Sequence, residues 1–302
     1  MVITTGLSPK LLRPGLKKVY DITNKTKEIQ AFKLYESESS NKNYEERMPV
    51  SGFGRVPIKT QGSNTEYFSP YAGASQKQVN IAYSMGFIIT KEMIMFNQYD
   101  LMVRWTKALK QSADNTVDLI GATPFNSAFD ATAYTLADSK ALCASDHTLA
   151  NGGSVANLAA ANADLSETSF EQALIDIETV MAFDEAGKEI SLGAYKLVVP
   201  PAEQFEAARL LESSQQPGTA NNSINPFMNI LPGGFMSYRF LTSEKNWFIM
   251  TDHTDQPVCQ KALYPGEFKQ DNDFDSDNMK MKLYYNLSFG FYNFRSIYGN
   301  GA

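Results

Sequence analysis

The segment from Tyr44 to Gln78 constrains the fold of this chain more than any other. Pro49, Gly52, Gly54, Pro57, Gly62, Pro70 and Gly73 interrupt it every few residues. Glycine and proline at that density rule out a helix and weaken any central strand. Short alternating pieces, Val56-Pro57-Ile58 and Glu66-Tyr67-Phe68, lie between the breakers. Yet about 35 residues without regular structure are unusual inside a compact domain. An extended hairpin reaching away from the body fits better, with its apolar residues covered by a neighbour.

The rest of the chain can supply that body. Its 302 residues are 43% hydrophobic and 12% aromatic, ample for one large core or two smaller ones. The net charge of −6 argues against a protein whose main task is gripping nucleic acid by neutralising phosphates. No stretch approaches the roughly 18 uncharged apolar residues of a membrane span. Met1-Val2-Ile3-Thr4-Thr5-Gly6-Leu7 lacks a basic segment followed by an apolar block, so no signal peptide is expected. Two cysteines make no disulfide framework and read as free thiols in a reducing cytosol.

Periodicity gives a mixed α+β chain. Residues 1–43 are polar and read as an arm, with Ser8-Pro9 as a helix start, an interruption at Pro14-Gly15, and a linker-like run from Glu36 to Asn43. Val79, Ile81, Tyr83, Met85, Phe87 and Ile89 alternate with small or polar residues, as in a half-buried strand. Met279, Met281, Leu283, Tyr285, Leu287, Phe289 and Phe291 repeat that pattern, and the two strands should pair. From Thr90 the spacing predicts one long helix. Its apolar stripe runs through Met95, Tyr99, Met102, Trp105, Leu109, Ala113, Val117 and Ile120, and Gly121 and Pro124 should end it. At 1.5 Å per residue that is a beam of ~45 Å. Thr168-Ser169-Phe170-Glu171 reads as a capping box opening a helix. Leu197-Val198-Val199 reads as a buried strand, Pro200-Pro201 as the start of a helix through Phe205, Ala208 and Leu211, and Tyr238–Leu241 and Trp247–Met250 as short strands.

Each candidate for chemistry has a plainer reading. Cys143, Asp146 and His147 stand close together, but catalytic Cys and His usually meet from distant positions, and no helix N-terminus is placed to activate the thiol. His253 in Thr251-Asp252-His253-Thr254-Asp255 has no CxxC or HExxH for company, so an exposed turn is expected. Asp271, Asp273, Asp275 and Asp277 resemble the start of a calcium loop. The sixth place holds Ser276 and the twelfth Lys282, so the EF-hand pattern fails. That leaves a solvated turn, pairing with cations of another subunit, or adventitious calcium, in that order. Gly52-Phe53-Gly54 lacks the third glycine of a dinucleotide fingerprint, since Pro57 stands in its place. No catalytic, cofactor-binding or metal residue is expected.

The order of several weak motifs carries a resemblance. Gly15-Leu-Lys-Lys-Val-Tyr20, Ile89-Thr-Lys-Glu92, Pro124-Phe-Asn-Ser-Ala-Phe129 and Ala141-Leu-Cys-Ala-Ser-Asp-His147 come first. Leu197-Val-Val-Pro-Pro201, Asn225-Pro226 and Asn246-Trp247-Phe248 follow. In this order the chain resembles the major capsid proteins of tailed bacteriophages, with the Hong Kong 97-type fold, and among them the major head subunits of Mu-like phages. The resemblance implies an N-terminal arm at 1–43, an extended E-loop at 44–78, and a peripheral domain with a long spine helix at 79–122 and 261–302. It further implies an interdomain loop at 123–165, holding Cys143 and His147, and an axial α/β domain at 166–260. No long scaffolding segment is expected ahead of the arm. The implied function is structural: self-assembly through pentamers and hexamers into an icosahedral virion capsid, made in the host bacterial cytoplasm. The implied partners are other copies, portal, scaffolding or decoration proteins, and non-specifically contacted double-stranded DNA, with no membrane and no cofactor. The alternatives are an encapsulin-type compartment shell, a phage tail or tube protein, and a hydrolase using Cys143 and His147.

Overall fold

The two alternating apolar segments pair in the computed structural model, which describes residues 16–20, 28–52, 56–65, 67–96, 99–215, 224–273 and 275–301. The expected Ser8-Pro9 cap, the Pro14-Gly15 break, and Gly54 and Glu66 of the loop fall outside the described residues. In chain order the first strands are β1 (Glu36–Ser39), β2 (Tyr44–Arg47), β3 (Gln76–Val79), β4 (Ile81–Ile89), β5 (His147–Thr148) and β6 (Ser154–Val155). Then come β7 (Ala194–Val199), β8 (Phe235–Ser237), β9 (Trp247–Thr251), β10 (Val258–Asn272), β11 (Met279–Gly290) and β12 (Ile297–Asn300). Residues 16–20 are helical, and further helices are α1 (Lys91–Met95), α2 (Tyr99–Asn126), α3 (Glu167–Thr179) and α4 (Gln204–Glu212). The chain divides into two units.

The first unit holds the described residues of Met1–Asn43, Val79–Gly121 and Cys259–Ser288. Its sheet has the strand order β1-β10-β11-β4. β11 and β4 run antiparallel with Met279 opposite Ile89 and Leu287 opposite Ile81. Period-two alternation then sends Met279, Met281, Leu283 and Tyr285 of β11 to the covered face and Lys280, Lys282 and Tyr284 to the other. Leu16, Ile89, Met102, Met279 and Met281 form the core there. Leu16, Tyr20, Ile29, Ala31, Leu34 and Tyr35, from the segment read as an arm, are buried.

The helical stripe differs from the expected one in two ways. Thr90 caps α1 by accepting from the Met93 amide, but α1 stops at Met95 and α2 begins afresh at Tyr99. The buried face of α2 also carries polar residues among its apolar ones: Thr106, Lys110, Asp114 and Asp118 beside Met102, Leu109 and Val117. Each has a partner, as buried polar groups require. Lys110 pairs with Asp114, Thr106 bonds the Met102 carbonyl at 3.0 Å, and Asp118 accepts the Ala31 amide at 2.9 Å. Asp118 thereby ties α2 to the 3-10 turn at Ala31–Lys33.

The second unit holds the described residues of Tyr44–Gln78, Ala122–Val258 and Phe289–Ala302. Its sheet has the order β12-β9-β7-β8. β7 lies between parallel β8 and antiparallel β9, and its Leu197, Val198 and Val199 are fully buried, as a continuous apolar run flanked on both sides should be. Pro124 does not end α2, which continues to Asn126. Phe125 is buried edge-on against Tyr238, Phe248 and Phe291, with ring centroids 5.4–6.2 Å away, and Asn126 bonds the Phe240 carbonyl and the Thr242 amide. These contacts offset the amide donor that proline removes.

Other expected boundaries shift for local reasons. The capping box of α3 is Ser166 with Ser169, two residues earlier than read, because a serine hydroxyl at N3 accepts the N-cap amide as well as a glutamate would. α4 buries Ala207, Leu210 and Leu211 and leaves Phe205 exposed. Phe235–Ser237, not Tyr238–Leu241, forms the strand. Residues 289–302, expected with 261–288, group with the second unit because β12 pairs with β9.

Candidate functional site

The glycine- and proline-rich segment is an extended hairpin. Its stem is β2 paired with β3, continued by a bridge between Val50 and Ala72 and by a bond from the Gly73 amide to the Pro49 carbonyl at 2.8 Å. Ser51 adds two more, its amide donating to the Tyr71 carbonyl and its hydroxyl accepting the Tyr71 amide. At the tip the Ser63 amide donates to the Thr60 carbonyl at 3.1 Å, and Gly62 has φ +84°. A side chain rarely adopts that angle, which explains the glycine. None of the described residues covers the apolar side chains near the tip. Val56 is 91% exposed, Ile58 95% and Tyr67 94%.

A second uncovered apolar surface lies in the first unit. β4 is the edge strand of its sheet, and Ile81, Met85 and Ile88 stay about half exposed along it. Met85, Gly86, Phe87 and Ile88 form one wall of a groove of about 430 Å³, and Trp105, Ala108, Leu109 and Ser112 of α2 form the other. The helix residues sit at i, i+3, i+4 and i+7, so they share one face. Phe87 meets Trp105 edge-on at 5.9 Å. Gly86 lets β11 approach closely, since a Cβ there would collide with the Met281 carbonyl. This surface was missed in the sequence, though Phe87-Ile88-Ile89 breaks the alternation and must turn one apolar residue outward.

Cys143 and His147 each pack against other residues. The Cys143 thiol packs beside Gly299 of β12 and the Phe129 ring, and burial pushes it well above the usual thiol range. Both His147 ring nitrogens are occupied, Nδ1 by Asp138 Oδ2 at 2.6 Å and Nε2 by Asn157 Oδ1 at 3.0 Å. Asp146 pairs with Lys140 instead. Cys259 is likewise buried, its thiol pushed up to about 12.

The remaining candidates have local partners. His253 is largely buried. Its Nδ1 accepts the Asp255 amide at 3.0 Å, and desolvation holds its imidazole below the usual range despite nearby Asp255. The acidic run is the turn between β10 and β11. Lys280 pairs with Asp273 at 2.9 Å and Lys91 pairs with Asp277, so the cations come from the same chain. Among the described residues, no three His, Cys, Asp or Glu side chains converge as a metal site requires. No described helix is long and apolar enough to cross a membrane.

The sequence matches the family model for phage capsid protein over residues 81–300. No curated protein matches it. Among solved structures, a virus-like particle from Pyrococcus furiosus superimposes with TM-score 0.56 at 10% identity, covering 95% of this chain and 98% of that one. A structure from Microbacterium phage Oxtober96 gives 0.54 at 9% identity, covering 91% of each. The procapsid of bacteriophage JBD30 gives 0.52 at 11% identity, covering 99% of this chain and 76% of that one. The fold is the Hong Kong 97-type capsid fold.

Proposed function

The chain belongs to the phage capsid protein family, and from that premise we propose that it is a major capsid subunit that closes an icosahedral shell around double-stranded DNA. The observation that carries this reading is the uncovered hairpin. Burying a Val, Ile or aromatic side chain is worth about 1.5–3 kcal/mol, so Val56, Ile58 and Tyr67 leave several kcal/mol unused in an isolated chain. A neighbouring copy recovers it. Repetition around a closed lattice turns such modest contacts into a stable shell. The groove beside Trp105 is the surface suited to receive an apolar side chain from another copy.

In this reading residues 1–43 serve as the arm, 44–78 as the E-loop, 79–121 with 261–288 as the peripheral domain, and 166–258 with the strand at 297–300 as the axial domain. The subunit has no catalytic role. That is consistent with a buried thiol and a histidine whose two nitrogens are already bonded. The net charge of −6 suits a wall that encloses DNA without gripping it. Portal, scaffolding or decoration proteins complete the particle, which assembles in the host cytoplasm. The order of motifs from Gly15 to Phe248 supports a Mu-like head. The family match favours a phage head over a protein-cargo compartment of the same fold.

Replacing Val56, Ile58 and Tyr67 together by serine tests the reading. The variant is expected to keep the parent's circular dichroism and thermal midpoint and to sediment without shells. Normal shells from the triple variant would overturn it.

A further inference from the structure

Charge is divided unevenly between the two units. The first, Met1–Asn43, Val79–Gly121 and Cys259–Ser288, holds 16 Lys and Arg against 13 Asp and Glu, and the rest of the chain holds 11 against 20. A net of +3 beside a net of −9 is an asymmetry of the kind that accompanies a polyanionic partner. The excess stands early in the chain, where residues 1–27 contain six Lys and Arg and one Asp.

Five lysines of the first unit are matched within it. Lys33 pairs with Glu28, Lys91 with Asp277, Lys269 with Glu267 and Lys280 with Asp273, and Lys110 is buried against Asp114. Lys17, Lys18, Arg104 and Lys107 are exposed and form no ion pair among the described residues. These four belong to one side of the unit. Leu16 and Met102 share a core with Met279 and Met281 of the sheet, so the helical turn at 16–20 and α2 cover the same sheet face. Leu16 lies at the Met102 end, and Tyr20 lies under the Lys110 ammonium at 5.9 Å. The turn thus runs beside the stretch of α2 that carries Arg104 and Lys107, and both elements turn their cations away from the sheet. On α2, Arg104, Lys107 and Gln111 recur at three- and four-residue steps and share one exposed face. Asp100, one turn before Arg104, is the acidic residue that α2 exposes.

We propose that the face formed by Lys17, Lys18, Arg104 and Lys107 is where this chain meets double-stranded DNA, through phosphates and without regard to sequence. The proposal rests on the capsid reading and names the surface that the shell turns toward its contents. Duplex DNA carries one negative charge per about 1.7 Å of its axis, so a straight helix face meets several phosphates in any register. Gln111 adds a neutral donor to phosphate oxygen. Three of the four cations are lysines, which are depleted at interfaces between proteins, and this favours phosphate over the acidic unit of a second copy. Asp100 and the acidic second unit confine the contact to this face and keep it weak.

The test uses the full chain, held below the concentration at which it forms shells, and a short duplex of mixed sequence. Binding is followed by fluorescence anisotropy as salt is raised from low ionic strength. One variant combines Lys17→Gln, Lys18→Gln, Arg104→Gln and Lys107→Gln. A control of equal charge change combines the exposed Lys59→Gln, Arg239→Gln, Lys245→Gln and Lys282→Gln. The parent is expected to bind at low salt, and the face variant to lose at least about tenfold in affinity. The slope of log affinity against log salt should fall by about 0.9 per phosphate contact removed, while the control stays near the parent. In the parent, duplex should shield Lys17, Lys18 and Lys107 from acetylation and leave Lys59 and Lys282 reactive, which decides the matter even if a variant fails to fold. No binding by the parent, equal losses in both variants, or unshielded Lys17, Lys18 and Lys107 would each overturn the proposal. So would salt-sensitive self-association, without duplex binding, that the face variant abolishes, since a second copy would then be the partner. Shell formation by the parent, seen by electron microscopy, tests the capsid reading separately, so failure of one is told from failure of the other.

Discussion

Arg295 is 2% exposed, and its guanidinium is held by the Phe183 carbonyl, Asn293 Oδ1 at 3.2 Å and Glu185 Oε1 at 2.7 Å. Removing one partner of a buried ion pair strands the other charge, which typically costs about 3–5 kcal/mol. Glu185→Ala should lower the urea midpoint by a matching amount, whereas a loss under 1 kcal/mol would mean that water reaches the guanidinium. Gly299 offers a second test, because a Cβ there would press on the Cys143 thiol and the Phe129 ring. Gly299→Ala should cost about 1–3 kcal/mol by overpacking, and Cys143→Ala in the same chain should restore part of it. Additive losses would show that the two residues do not touch. The adjacency of Cys143 and His147 was legible in the sequence, but their partners were not: Gly299 and Phe129 beside the thiol, and Asp138 and Asn157 on the imidazole, which no local pattern assigns.

At the scale of elements, the β4–β11 pairing was legible because alternation over many residues fixes which face is covered, and a one-residue slip would invert it. The helix was read less well. A stripe counted from apolar residues passes over Thr106, Lys110, Asp114 and Asp118, which look like a solvated face until their partners are known. Asp118 is the clearest case, since its carboxylate takes the Ala31 amide at the start of a short 3-10 turn. Asp118→Ala leaves that buried donor unpaired and should cost about 1–3 kcal/mol. Faster amide exchange at residues 29–35 should accompany the loss. Equal protection in the variant and parent would contradict this role. The passage through Pro124 follows from the tertiary contacts of Phe125 and Asn126, which override local propensity. The uncovered hairpin was legible, because glycine and proline leave a segment few ways to pack on its own body.

At the scale of the molecule, the hairpin tip and the edge of β4 are open apolar surfaces among the described residues. A chain that stayed alone would leave both wet, at a cost in solubility. Self-association removes that cost. The hairpin could be read from its composition. The groove beside Trp105 could not, because it is made by a strand edge and a helix face whose juxtaposition no local pattern records. The most direct measurement is negative-stain electron microscopy of the purified full chain at increasing concentration, with sedimentation alongside. Closed, uniform shells are the expected result, and a monomer that persists at high concentration, or open rods, would contradict the account.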